Sequence, residues 1–189
     1  MQDVISAVFL DRDGTINEDA GYTSNPGKLH VIPGVAEAIR SLNERSIPVI
    51  VVTNQGGVAH GHHTEDDVND FHKALSSELQ KSGAHIDGFY YCPHHPDGKG
   101  EYKKVCDCRK PMPGLLKQAA KEMGIELSRS VMIGDKARDI GAGRAVGCRT
   151  VLVKTGHGEK EWAAWHEDFK PDHVARDLAE AIAWLLESK

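Results

Sequence analysis

Val4-Ile5-Ser6-Ala7-Val8-Phe9-Leu10-Asp11-Arg12-Asp13-Gly14-Thr15 decides how this chain folds. The run 4–10 is apolar apart from Ser6, as in a strand buried inside a sheet, and Gly14 marks the turn that ends it. Asp11 and Asp13 therefore fall at the C-terminal tip of a strand, where open α/β sheets bind their ligands. Two carboxylates at one strand tip are unfavourable unless a positive group is held there. A hard cation such as Mg2+ suits such oxygen ligands.

Outward from that strand, helical and extended patterns alternate. Val35, Ala38, Ile39 and Leu42 have a helical period within 34–44, and 48–53 (P-V-I-V-V-T) is a β-branched run of the kind buried on both faces. Thr64, followed by Glu65, Asp66 and Asp67, reads as the N-cap of a helix running to about Lys81, and Gly83 suits its end. Further strands are expected at 88–92, 131–133 and 150–153, and helices at 114–123, 137–146 and from Leu178 after an Asp177 cap. This order implies an α/β, doubly wound, Rossmann-like and mostly parallel sheet with helices on both faces. The polar segment between Cys92 and Pro111 is too long for an ordinary connection, and long loops are often functional. The aromatics of 156–171, Trp162 and Trp165 among them, are expected to pack on the core.

With 189 residues, 40% of them hydrophobic, the chain suffices for one packed domain, expected over 1–189, and is short for two. Lys and Arg total 23 against 28 Asp and Glu, a net charge of −5, and there is no basic run. That argues against a nucleic-acid partner. No apolar run approaches membrane-spanning length, so no membrane partner is expected. The N-terminal apolar run is short and passes directly into Asp11 and Asp13, unlike a signal peptide, so a cytoplasmic monomer is expected. In that compartment the four cysteines suit metal ligation or free thiols better than disulfides.

Three more groups fall at strand ends or helix starts: Thr53-Asn54-Gln55-Gly56-Gly57, Arg109-Lys110-Pro111 and Gly134-Asp135-Lys136, with Asp139 one helical turn on. Alone, D-x-D-G is a common turn, T-N-Q-G-G a plain connection and Lys110 a surface cation. Together they supply carboxylates for Mg2+ and a hydroxyl, amides and an ammonium for phosphate oxygens, which is the equipment of phosphoryl transfer. Cys92-Pro-His94 and Cys106-Asp-Cys108 add three thiolates and an imidazole, the ligand count of a closed tetrahedral Zn2+ site in a loop at about 92–108. His95 is the alternative to His94, and Cys148 reads as a core thiol.

D-R-D-G-T, T-N-Q, R-K-P and G-D-K, in this order, resemble the haloacid dehalogenase superfamily of aspartate-based phosphotransferases, over about residues 4–153. The resemblance implies that Asp11 is the nucleophile and forms a phosphoaspartate. It makes Asp13 the general acid and then the base for water, and Thr53 and Lys110 the stabilisers of the transferring group. Mg2+ would be held by Asp11, Asp135 and the backbone carbonyl of Asp13. No large insertion separates the motifs, so no large cap domain is expected.

C-P-H followed by C-D-C-R-K-P is similar to the branch of this superfamily that holds heptose-bisphosphate and histidinol-phosphate phosphatases, and 17–22 (N-E-D-A-G-Y) looks like the substrate loop of the former. A small phosphorylated sugar is thus the expected partner. Its implied contacts are Asp11, Arg12 and Asp13, then Asp19, Ala20, Gly21 and Tyr22, then Thr53, Asn54, Gln55 and Gly56, and finally Arg109, Lys110 and Lys136. Departures from the family's T-N-Q-S-G-I-A-R-G are Gly56, which lacks a hydroxyl, and His60, where an arginine is usual. The His60-Gly61-His62-His63 tract reads as a solvated loop. A polynucleotide 3′-phosphatase and a purely structural zinc module are the other classes.

Overall fold

Val8, Phe9 and Leu10 form β1 (Val8–Leu10) at the centre of a six-stranded sheet in the computed structural model, which describes residues 5–22 and 24–187. The remaining strands are β2 (Val49–Asn54), β3 (Gly88–Cys92), β4 (Val131–Gly134), β5 (Arg149–Val153) and β6 (His173–Ala175). They lie in the order β3-β2-β1-β4-β5-β6, and every neighbouring pair is parallel. The chain walks outward from β1 to β2 and β3, then returns to β4 on the other side of β1. That reversal is the switch point at which the strand ends part to leave a ligand crevice.

Side chains alternate across a strand, and this divides the core in two. Val8, Leu10, Val49, Val51, Val131 and Ile133 face α1 (Val35–Asn43), α3 (Glu65–Gln80) and α7 (Leu178–Glu187). Phe9, Ile50, Val52 and Met132 face α4 (Gly114–Met123) and α5 (Ala137–Arg144), with Cys148 among them at 5% exposure. Both faces are therefore covered, as the continuous apolar strands require. Thr64 caps α3 as expected: its hydroxyl accepts from Asp67 N, and the Asp67 carboxylate accepts from Thr64 N at 2.8 Å. Asp177 likewise accepts from Glu180 N at the start of α7.

The expected strand 4–10 narrows to Val8–Leu10, because only those residues pair with β2 and β4; Val4 lies outside the described residues. Three short elements left no readable period: α2 (Gly57–His60), α6 (Gly158–Ala163) and the edge strand β6. The aromatics of 156–171 belong to neither core. Trp162 and Trp165 pack on each other with ring centroids 5.9 Å apart, Trp165 Nε1 donates to Phe169 O, and Phe169 lies beside Arg144 and Gly141 of α5. Among the described residues, no helix is long and apolar enough to cross a membrane.

Candidate active site

The tips of β1, β2 and β4 bring Asp11, Thr53 and Asp135 together, and the long loop after β3 delivers Lys110 between them. Lys110 is buried, with its Nζ 2.9 Å from Asp11 Oδ1 and 2.7 Å from Asp139 Oδ1, and it donates to Val52 O at 2.7 Å. These three oxygens surround the ammonium, two of them as ion-pair partners. Burial acts against the charge, but Asp11 and Asp139 outweigh it and hold the lysine above its ordinary value. Burial would likewise raise the Asp11 carboxyl. Lys110 and Arg138 beside it, with hydrogen bonds from Lys110 and the Arg12 N–H, keep it below the usual carboxylate range. A buried carboxylate held ionised in this way is equipped as a nucleophile.

Asp13 faces the same cavity and is surrounded by donors. Arg12 grips it with Nε at 3.0 Å and Nη2 at 2.9 Å, while Asn17 Nδ2 and Gln55 Nε2 donate at 3.0 and 2.9 Å. The Arg12 side chain is itself fully buried, lies 4.4 Å over the Phe71 ring and reaches His72 Nε2 at 3.2 Å. Burial, then Arg12, pushes His72 down to about 3, so it stays neutral and its Nε2 accepts from the guanidinium. The Arg12 side chain is thus turned into the protein, where it holds Asp13.

Gln55 also donates to Thr53 Oγ1 at 2.9 Å, which leaves the Thr53 hydroxyl hydrogen free to point into the cavity. The Asn54 carboxamide grips the Lys110 backbone in both directions, Nδ2 to Lys110 O and Lys110 N to Oδ1, each at 3.0 Å. The side chain thereby positions Lys110, and Asn54 also lines the cavity.

Asp135 is enclosed. A Cβ at Gly14 (φ +89°) or at Gly156 (φ +56°) would strike its Oδ2, so both neighbours have to be glycine. Oδ2 accepts from His157 N at 2.8 Å, whereas Oδ1 is buried without a hydrogen-bond partner. Burial, together with Asp11 and Asp139, pushes the carboxyl up to about 8. Carboxylate oxygens of Asp11, Asp135 and Asp139 lie within 4.8 Å of one another. Crowded acids and an orphaned oxygen fit a divalent cation. Asp139 carried no assigned role in the sequence, although its place one turn after Asp135 was the signal. Besides pairing with Lys110 it accepts from Lys136 N at the start of α5.

The cavity measures about 450 Å³ and is lined by Asp11, Asp13, Thr53 and the 54–57 segment, with Asp19, Gly21, Tyr22, Arg109, Lys136, Arg138 and His157 around it. Asp19 ties the 17–22 loop down: Oδ2 meets Lys136 Nζ at 3.0 Å and His157 Nε2 at 3.1 Å, and Oδ1 accepts from Gly21 N. Ala20 is exposed and does not line the cavity. Tyr22 stacks on His62 at 4.6 Å, and His60 packs on His95 at 4.6 Å, so the histidine tract supports loops. A Cβ at Gly56 would come to 3.2 Å from Arg109 Nη1, so the absent side chain makes room for that guanidinium. Arg138 and His157 went unread because neither belongs to a motif.

Beside Arg109, the sulfurs of Cys92, Cys106 and Cys108 lie 3.0–3.5 Å apart, and His94 Nδ1 lies 3.4 Å from Cys108. Three thiols and an imidazole nitrogen, all within 4.8 Å of one another, have the composition of a closed structural zinc centre. His94 is the histidine that lies in this cluster, whereas His95 accepts from Asp97 N.

The chain's residues 107–181 match the HAD-hydrolase-like family model. It is 46% identical to the D-glycero-beta-D-manno-heptose-1,7-bisphosphate 7-phosphatase of Pasteurella multocida over 151 residues, covering 79% of this chain and 82% of that protein. It is 43% identical over 180 residues to the phosphatase of the same name from Escherichia coli K12, covering 94% of each. The crystal structure of the D,D-heptose 1,7-bisphosphate phosphatase of B. bronchiseptica, complexed with magnesium and phosphate, superposes with a TM-score of 0.86 at 32% identity, covering 97% of this chain and 99% of that one.

The double clip on the Lys110 backbone yields a first prediction. Asn54→Ala is expected to lower unfolding stability by about 1–3 kcal/mol, the cost of leaving buried backbone groups unpaired. Urea denaturation checks this, and an unchanged midpoint would mean the clip is idle.

Proposed function

This chain belongs to the D-glycero-D-manno-heptose-1,7-bisphosphate 7-phosphatases of the haloacid dehalogenase-like hydrolases, and we propose that it is a Mg2+-dependent phosphatase that removes the 7-phosphate of D-glycero-D-manno-heptose 1,7-bisphosphate. The observation that carries this is the meeting of ionised Asp11 with Asp13 and Thr53 in one cavity, with Lys110 and Asp135 buried beside Asp11.

An Asp11 oxygen attacks the phosphorus of the 7-phosphate while the bond from phosphorus to the sugar oxygen breaks. Asp13 gives that oxygen its proton, and a phosphoaspartate remains. Asp13 then takes a proton from water, the water oxygen attacks phosphorus, and the Asp11–phosphorus bond breaks to release inorganic phosphate. Four N–H groups aim at Asp13, so one of them gives way whenever it carries the proton. The Thr53 hydroxyl donates to a phosphoryl oxygen, and Lys110 keeps its charge against Asp11 throughout. Mg2+, held by Asp11, Asp135 and the Asp13 backbone carbonyl, supplies positive charge that offsets the repulsion between carboxylate and phosphate.

Zn2+ held by Cys92, His94, Cys106 and Cys108 has a structural role, fixing the loop from which Arg109 and Lys110 emerge. Unligated, the Cys92 thiol is pushed up to about 11 by burial, so metal binding has to displace its proton. All these groups come from one chain, which suits a monomer acting on a small phosphorylated sugar, and the thiol ligands suit the reducing cytoplasm.

Three outcomes test this. Asp11→Asn abolishes phosphatase activity while fold and zinc content persist; full activity would sink the nucleophile assignment. In the wild type, kcat/KM is highest for heptose bisphosphate, and a clear preference for histidinol phosphate over it and fructose 1,6-bisphosphate would overturn the substrate. Elemental analysis of protein from metal-free buffer finds about one zinc per chain; under about half, with the cysteines reduced, excludes the closed site.

Mg2+ affinity is expected to depend on pH with a fixed sign. Asp135 is protonated below about 8 in the metal-free fold, against about 4 when unfolded. Its contribution to metal-free stability is therefore complete in acid and is lost as pH rises through about 8. Cation binding must expel that proton, so calorimetric Mg2+ affinity rises from pH 6 to about 8 and then flattens. A pH-independent affinity over that range would contradict it.

A further inference from the structure

Most cations of the cavity are already engaged. Lys110 does not line it and is paired with Asp11 and Asp139, Lys136 is paired with Asp19, and Arg109 Nη1 donates to His94 O at 3.0 Å. Arg138, in the first turn of α5, differs. It lines the cavity, its Nε is closed off from solvent without a hydrogen-bond partner, and among the described residues its guanidinium makes no ion pair. Asp139, Asp11, Asp135 and Asp19 attract it from beyond contact distance. A guanidinium carries five N–H donors, and leaving them unmade in a partly buried place is costly.

Arg109 shares this space. Burial, and then the charge of Arg138, holds Arg109 below its ordinary value, so the two cations sense and repel each other. Two guanidiniums in one ligand cavity suit an anion with several oxygens better than a neutral hydroxyl. Given the activity proposed above, on which this step rests, the substrate brings two phosphates. The transferred one lies over Asp11. The other needs countercharge that Lys110 cannot give.

We infer that Arg138 is a specificity-determining residue that, with Arg109, seats the phosphate that is not transferred. Its fork donates to the oxygens of that group and recognises a bisphosphate. Arg138 stands between Asp135 and Asp139 on the same helix start, so the distal phosphate is gripped by the element that carries the cation-site carboxylates. Binding at the far end thereby sets the position of the reacting end.

The test uses the Mg2+-loaded wild type, R138Q and R138K, with heptose 1,7-bisphosphate and the same heptose carrying only the 7-phosphate. In R138Q the ratio of kcat/KM on the bisphosphate to that on the monophosphate is expected to fall by about tenfold or more, chiefly through KM, with partial recovery in R138K. The heptose 1-phosphate product should inhibit R138Q more weakly than wild type by a similar factor. An unchanged ratio overturns the inference, even if both rates fall, because that is the mark of an arginine acting only on Asp11 or on the fold. Wild type that fails to hydrolyse the bisphosphate sinks the proposed activity and this inference with it. Wild type active on it, with the ratio unmoved in R138Q, sinks the inference alone.

Discussion

Lys110 places an ammonium out of reach of bulk water, with Asp11 on one side, Asp139 on another and the Val52 carbonyl oxygen beneath it. Those partners come from the end of β1, from α5 and from β2, so one charge fastens three elements around the crevice. An isolated ion of this kind would cost several kcal/mol to bury, and three acids as close as Asp11, Asp135 and Asp139 would repel one another. Each problem is the solution of the other. Without the ammonium, burial would push Asp11 towards its neutral form, and a neutral carboxyl is a poor nucleophile.

That dependence explains the care with which the loop is held. Lys110 does not come from a strand or a helix, so its position has to be imposed from outside. Asn54 fastens its backbone from the β2 side. The cluster of Cys92, His94, Cys106 and Cys108 fastens the preceding residues to the end of β3. Tyr91 and Tyr102 both donate to Glu65, which joins the loop to the start of α3. A displaced ammonium would loosen Asp11, the proposed nucleophile, and small displacements at a reacting centre cost rate steeply.

The parts of this design that were legible in the sequence are those with a period or a motif. The apolar runs at 48–53 and 131–133 and the capped helix after Thr64 are repeated local signals, and they gave the sheet and its two covered faces. Asp11, Asp13, Thr53 and Asp135 stand at or just after strand ends, which is where the fold delivers them, and Lys110 comes from the long loop after β3. What stayed hidden depends on contacts distant in the chain. Arg12 and Asn54 sit inside the motifs, yet their side chains hold Asp13 and Lys110, partners that spacing does not encode. His72 shapes Asp13 through Arg12 from 60 positions further on. The three-residue β6 and the aromatics packed over α5 lack enough local pattern to be seen at all.

The same division separates chemistry from selection. Asp11, Lys110, Asp135 and Asp139 are buried and held by one another, so their identity can hardly vary without collapse of the arrangement. The groups around the rest of the cavity are held more lightly: Asp19 pairs with Lys136 and His157, Tyr22 rests on His62, and Arg109 occupies space that Gly56 leaves open. Such pairs, partly open to water, contribute on the order of 1 kcal/mol or less each. They can be exchanged for contacts with a ligand at little cost, and an anion that reaches Lys136 competes directly with Asp19. These exchangeable groups, together with Arg138, are where the proposed preference among phosphorylated sugars has room to reside, while the buried ammonium and its carboxylates suit phosphoryl transfer whatever the sugar.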